Sequence, residues 1–260
     1  MAICCCLIFF PDAYANEKIR LTTGEWSPFI SEKLEHNGLL AQIVVEAFAN
    51  QGVDVELGFF PWGRVAELSR DGTWDGTVAY ARTVEREKYY IYSEPIYIGK
   101  YVFFHLKSFP FKWRKYEDLK DIKIAATQGF GGMGKEFLAA EEKKVINVDR
   151  VFSDVQSFKM LLLHRVQAVA SDLEVGYVLI HQNFEKSETD LITHNDNYIQ
   201  NAKYHLVMPK KLKKSEELIR KFNLGLQALK KSGRYNAIIK EHYQTKIYKD
   251  SIPANYLMQI

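Results

Sequence analysis

Apolar positions along the chain follow two periods that take turns. In KIRLTTGEWSPF, residues 18 to 29, alternation runs into Pro28, which predicts a strand leading into a loop. In GLLAQIVVEAFANQG, Leu39, Leu40, Ile43, Val44, Ala47 and Phe48 fall at helical spacing, and Gly52 ends the run. VDVELGFF (53 to 60) reads as a strand, and PWGRVAELSRDG (61 to 72) as a short helix with Pro61 in its first turn. WDGTVAY (74 to 80) is a strand again. This β-α-β-α-β order predicts a parallel sheet with helices on its faces. Ligands of such sheets sit beyond the carboxyl ends of the strands. Here those ends are the loops at 25 to 29, 61 to 64 and 79 to 82.

KYVFFHLK (100 to 107) is one more strand, and a polar linker with Pro110 and RKYEDLKD follows. The pattern then restarts. It gives strand IKIAAT, glycine-rich turn QGFGGMG, helix 135 to 144, strand VINV, helix DVQSFKMLLLHR and strand VQAVAS. KYHLVMPK (203 to 210) mirrors 100 to 107, helical stretches follow at 215 to 231 and 233 to 244, and 246 to 260 shows no clear pattern. The predicted fold class is α/β, with two lobes joined by two extended strands and the C-terminal helices returning to the first lobe. The divisions expected are a signal remnant at 1 to 15, lobe 1 at 16 to 104, lobe 2 at 105 to 204, and the return to lobe 1 at 205 to 260. A cleft between two such lobes is a common ligand site.

Composition narrows the class. Over 260 residues, 47% hydrophobic and 13% aromatic, there is enough apolar material for one large or two small cores. The net charge is only +3, and no basic stripe with interleaved aromatics points to nucleic acid. All three cysteines stand in ICCCLIFF, followed by Pro11 and then Ala13-Tyr14-Ala15. This reads as the apolar core and small-residue cleavage site of a secretory signal, cut after Ala15. The run is too short to span a bilayer. The competing reading is a core strand. The cleaved chain would start at Asn16 without cysteine, and so without disulfides, as a soluble exported protein.

RDGTWDGTVAYARTVEREKYYIYSEPIY (70 to 97) carries a Gly-x-x-Asp strand, a Thr-x-x-Arg turn and an aromatic-Ser-Glu-Pro-x-Tyr element, in which Ser93-Glu94-Pro95 reads as a turn. With YEDLKDIKIAATQG and HRVQAVASD in the same order, it resembles the extracellular solute-binding proteins of family 3, the amino-acid-type receptors of ABC importers. The resemblance runs from 19 to 244. It implies the periplasmic-binding-protein type II fold, a periplasmic monomer without cofactor or enzymatic activity, and ABC permease membrane subunits as partners. It also implies that Arg86 forks onto the ligand's α-carboxylate, which suits a planar, permanently charged guanidinium with paired donors. Asp172 would receive the α-ammonium.

Bland readings stand beside these. Arg86 could be an exposed helix-start residue paired with Glu85 or Glu87. Asp172 could cap the helix that begins LEVGYVLI. The chain also departs from the family. Ala79 and Ala81 replace small hydroxyl residues, and Phe130 and Gly131 stand where Ser or Thr follows the second-lobe glycine; backbone N–H groups at Ala81 and Gly131 can still serve, but the lost hydroxyl contacts make a standard α-amino acid less secure as the ligand. Trp26, Phe29, Trp62, Tyr80 and Phe130 would make an aromatic pocket, with Arg64 and Arg82 either adding charge or lying on the surface.

Other motifs are weaker. GFGGMG fits the dinucleotide pattern and nearly a P-loop, but its unit is small and Glu136 replaces the Ser or Thr that magnesium needs. The histidines show no metal spacing, and no Gly-x-Ser-x-Gly elbow is present. The alternatives kept are a dehydratase of the same fold, with Glu25, His36 or Glu174 as acid or base, and a ligand sensor for a membrane signalling protein.

Overall fold

Strand β1 (Glu17–Thr23) buries Ile19 and Leu21 on one face, as its alternation predicts. It pairs in parallel with β2 (Val53–Phe59) on one side and β3 (Gly76–Ala81) on the other. Helices α1 (Leu39–Ala49) and α2 (Trp62–Arg70) make the crossovers. All six periodic residues of α1 are fully buried. These features belong to a computed structural model that describes residues 17–128, 131–253 and 256. The expected signal sequence and Phe130 lie outside the described residues.

A single turn, α3 (Val84–Glu87), leads into β4 (Tyr90–Leu106), which is 17 residues long. The Ser93-Glu94-Pro95 turn expected from sequence is therefore part of a strand. Pro95 has no N–H to donate to the ladder, so the register shifts on both sides of it. The Ser93 hydroxyl fills part of the gap by accepting the Leu206 N–H at 3.1 Å. The chain stays in the sheet through Pro95.

The second round contains β5 (Lys123–Thr127), α4 (Gly134–Glu142), β6 (Asn147–Val151), α5 (Asp154–Leu162) and β7 (Ala168–Asp172). After it come α6 (Leu173–Asn183), one-turn α7 (Lys186–Thr189) and the short β8 (Ile192–His194), the last two unpredicted. Then follow β9 (Gln200–Pro209), α8 (Ser215–Ser232), α9 (Arg234–Tyr243) and α10 (Lys246–Ser251). The linker after β4 is less polar than expected. In Phe111-Lys112-Trp113-Arg114 the two rings turn inward against Phe103, at 5.7 and 5.1 Å between centroids, while the charges point out.

The strand order is β2-β1-β3-β9-β4-β7-β5-β6, with β8 on β4. Two parallel sets, β2-β1-β3 and β7-β5-β6, are thus joined through antiparallel β9 and β4. The β4–β9 ladder runs from Tyr90 opposite Pro209 to Tyr101 opposite Gln200. Helix α8 crosses α1 so closely that a Cβ on Gly225 would stand 1.9 Å from the Ala47 carbonyl oxygen. Arg234 of α9 forks onto Glu46 of α1 with two 2.8 Å bonds. The last helix, α10, lies instead against α6, where Tyr248 and Ile252 join Val102, Phe104 and Leu161 in a second core.

Candidate functional site

The carboxyl ends of the two parallel sets face one cavity of about 430 Å³. Trp26 follows β1, Trp62 opens the helix after β2, and Tyr80 and Ala81 end β3. From the other set come Thr127 and Gln128 at the end of β5, Gly132 before α4, and Phe152 after β6. The joining strands add Tyr101 from β4 and Tyr204 from β9.

Arg86 stands in the wall, and the local sequence fixes it there. The Thr83 hydroxyl caps α3 by accepting the Arg86 N–H at 3.2 Å. The side chain then folds back, with its guanidinium carbon 4.2 Å from the centre of the Tyr80 ring. Nη1–H donates to the Ala81 carbonyl at 3.2 Å. Glu87, a candidate surface partner for Arg86, is bonded to Arg82 at 3.0 Å instead. Among the described residues Arg86 forms no ion pair, and no carboxylate lines the cavity. The remaining guanidinium donors suit a ligand anion.

The rings around it brace one another. Trp26 meets Tyr204 edge-on at 4.7 Å and Phe29 at 4.9 Å. Phe29 itself is fully buried behind Trp26 and does not reach the cavity, so its expected place in the pocket is corrected to a core role. Trp62 Nε1–H donates to the Glu25 carbonyl at 3.3 Å, and its ring lies 6.4 Å from that of Tyr80. Burial pushes the Tyr80 hydroxyl well above the usual phenol range. Phe152 is different: it is 85% exposed at the cavity's edge. Ala79 adopts φ +68° between the register shift in β3, a left-handed conformation that non-glycine residues rarely hold.

Asp172 is 2% exposed and lies outside the cavity lining. It caps α6, accepting the N–H groups of Glu174 and Val175 at 3.1 and 3.4 Å. Its other oxygen accepts the Tyr204 hydroxyl at 3.0 Å. A Cβ on Gly99 would come within 2.4 Å of that oxygen, so only glycine fits beside it. Burial first, then the charge of Glu174, pushes the Asp172 carboxyl up to about 8. Burial also raises Glu174, whose Oε1 accepts the Tyr97 and Tyr243 hydroxyls at 2.7 and 2.9 Å. The space next to Asp172, between Trp26, Tyr101, Thr127 and Asp154, is only about 10 Å³. That holds one water at most.

The structure brings together Arg86, Trp26, Trp62, Tyr80 and Ala81. Gly131 lies in the turn beside the lining residue Gly132. Arg64 pairs with Glu67 at 2.7 Å, and neither it nor Arg82 reaches the cavity. Glu25, His36 and Glu174 are also absent from the lining. Sequence reasoning missed Tyr101, Tyr204, Gln128 and Phe152. Tyr101 and Tyr204 stand in the two mirrored strands, but which strand faces reach the cavity depends on long-range pairing.

The family model described as bacterial extracellular solute-binding proteins, family 3, matches residues 20–245. A sequence search of curated proteins finds no match. Among solved structures the chain resembles an ancestral arginine-binding protein bound to arginine, at 21% identity and TM-score 0.70, covering 88% of this chain and 100% of that one. It resembles the amino acid ABC transporter substrate-binding protein AbpA from Streptococcus pneumoniae bound to L-arginine, at 20% identity and TM-score 0.68, covering 87% and 94%. It also resembles a histidine kinase sensor domain with similarity to periplasmic binding proteins, at 18% identity and TM-score 0.71, covering 88% and 97%. These likenesses establish the type II periplasmic-binding fold that the sequence predicts.

Proposed function

The chain belongs to the bacterial extracellular solute-binding proteins of family 3, and from that premise we propose that it is an exported receptor for a small carboxylate, an amino acid or a relative of one. The observation that carries this reading is Arg86, a guanidinium without an ion pair among the described residues, in the wall of an aromatic cavity between the two strand sets. A charge-assisted bond from such a group is worth about 1.5–3 kcal/mol, and more where water is excluded.

Closure supplies the exclusion. The two units, divided near residues 104 and 205, hinge on β4 around 101 to 106 and on β9 around 203 to 208. Trp26, Trp62, Tyr80 and the Ala81 backbone hold the ligand's body from the first unit, and the turn at Gly132 covers it from the second. Asp172 acts through the Tyr204 hydroxyl that it holds, as a positioning residue. The closed form is then read by the membrane subunits of an ABC permease.

A second reading shares the same capture step. Likeness to a histidine kinase sensor domain supports a receptor whose closed form is read by a membrane signalling protein. A lyase gains no support from the cavity, because Glu25, His36 and Glu174 do not line it.

The test is a mass spectrum of small molecules released from protein purified without denaturation, then calorimetry with the compound found. A carboxylated compound that binds unchanged supports the receptor. Its chemical conversion by the protein, or release of only uncharged compounds, overturns it.

A further inference from the structure

We infer that the cleft selects a monoanionic carboxylate with a flat apolar body over the zwitterionic α-amino acid of the same shape. The inference rests on the proposed carboxylate receptor and names its ligand class.

Charge is the first argument. Among the described lining residues Arg86 is the only formal charge, and the sequence has no charged residue at 129 or 130. A bound monoanion leaves the closed cleft neutral. A bound zwitterion carries in an ammonium that needs an acceptor. Buried cations without a partner are costly. The side-chain acceptors among the lining residues are neutral: Gln128, the Tyr80, Tyr101 and Tyr204 hydroxyls, and Thr127, whose hydroxyl is already given to Asp154 at 2.8 Å.

Access is the second argument. Behind this wall, Asp154 and Asp172 line, with Trp26, Tyr101 and Thr127, a free space of only about 10 Å³. Asp172 is bound to the Tyr204 hydroxyl and to two backbone N–H groups. Burial raises both carboxyls, which favours their neutral forms and further weakens any claim on an ammonium. Ring faces attract cations, but the Tyr80 face is already under the Arg86 guanidinium.

Shape is the third. The small residues Gly63, Ala66 and Ala79 line the cavity together with the indoles of Trp26 and Trp62 and the rings of Tyr101 and Tyr204, which leaves room for a body with flat apolar faces. At about 30 Å³ per water, 430 Å³ suits a ligand on the order of ten to fifteen non-hydrogen atoms. The Phe152 ring, 85% exposed at the rim of the second unit, is placed to cover the ligand's body when the units close.

Three probes with the same phenyl group separate the charges: 3-phenylpropanoate, phenylalanine and 2-phenylethylamine. Calorimetry on the intact protein is expected to show 3-phenylpropanoate binding at least tenfold more tightly than phenylalanine, with no binding of the amine. Phe152→Ala, an exposed change that leaves the fold alone, is expected to weaken 3-phenylpropanoate at least threefold. Phenylalanine binding as tightly as 3-phenylpropanoate overturns the ligand class and leaves the carboxylate receptor standing. Preference for the amine overturns both. Binding of none of the three, by protein that still takes up its co-purified carboxylate, overturns the flat apolar body and so the inference alone.

Discussion

Asp172→Asn is expected to remove a pH-dependent loss of stability. The substitution keeps the shape and the helix cap, since Asn caps about as well as Asp. It removes the one carboxyl that burial and Glu174 push from 3.8 to about 8. A carboxyl raised on folding binds its proton more tightly in the folded chain than in the unfolded one. Its contribution is therefore fully present below the unfolded value of 3.8 and is lost as pH rises through about 8. At about 1.4 kcal/mol per unit, the whole shift sets a ceiling of roughly 5–6 kcal/mol. Repulsion between Asp172 and Glu174 is shared by the pair, so about 2–4 kcal/mol is expected to fall to Asp172 alone. The assay is urea unfolding of both proteins from pH 4.5 to pH 8.5, with the stability of the substituted protein subtracted from that of the wild type. Titrating groups away from the Asp172–Glu174 pair cancel in that difference to first order. The difference is expected to fall steadily as pH rises. A difference that stays flat, or grows with pH, refutes a buried, proton-favouring Asp172.

Two further outcomes follow from packing. Gly225→Ala is expected to cost about 1–3 kcal/mol in urea unfolding, because its Cβ would meet the rigid Ala47 carbonyl and force α1 and α8 apart; an unchanged midpoint contradicts that crossing. In a Trp74→Phe, Trp113→Phe background only Trp26 and Trp62 remain to report, and ligand is expected to change their fluorescence; a silent signal alongside calorimetric binding removes both indoles from the ligand's surroundings.

Much of the fold was legible because it rests on local periods. The six buried residues of α1 and the alternation of β1 follow directly from spacing. Residues 93 to 95 misled, because Pro95 reads as a turn when taken alone. Only the facing strand, with the Leu206 N–H taken by Ser93, keeps it in the sheet. Phe111 and Trp113 were hidden among charges for a similar reason: their partner, Phe103, lies across the core. At the site, Arg86 was legible from its turn and from the resemblance. The two tryptophans were legible from strand ends next to proline. Tyr101 and Tyr204 were not, since their approach to the cavity is set by how β4 and β9 cross. Asp172 was expected to receive the ligand's ammonium, and its burial behind Tyr204 has no local signature.

The central claim is that Arg86 receives a ligand carboxylate, and one calorimetric series tests it most directly. The co-purified carboxylate is titrated into the wild type, Arg86→Ala and Arg86→Lys, with circular dichroism to confirm that all three are folded. The account predicts at least tenfold weaker binding to Arg86→Ala, about 1.4 kcal/mol, and an intermediate loss for Arg86→Lys, which keeps the charge without the fork. Equal affinity for all three folded proteins would contradict it.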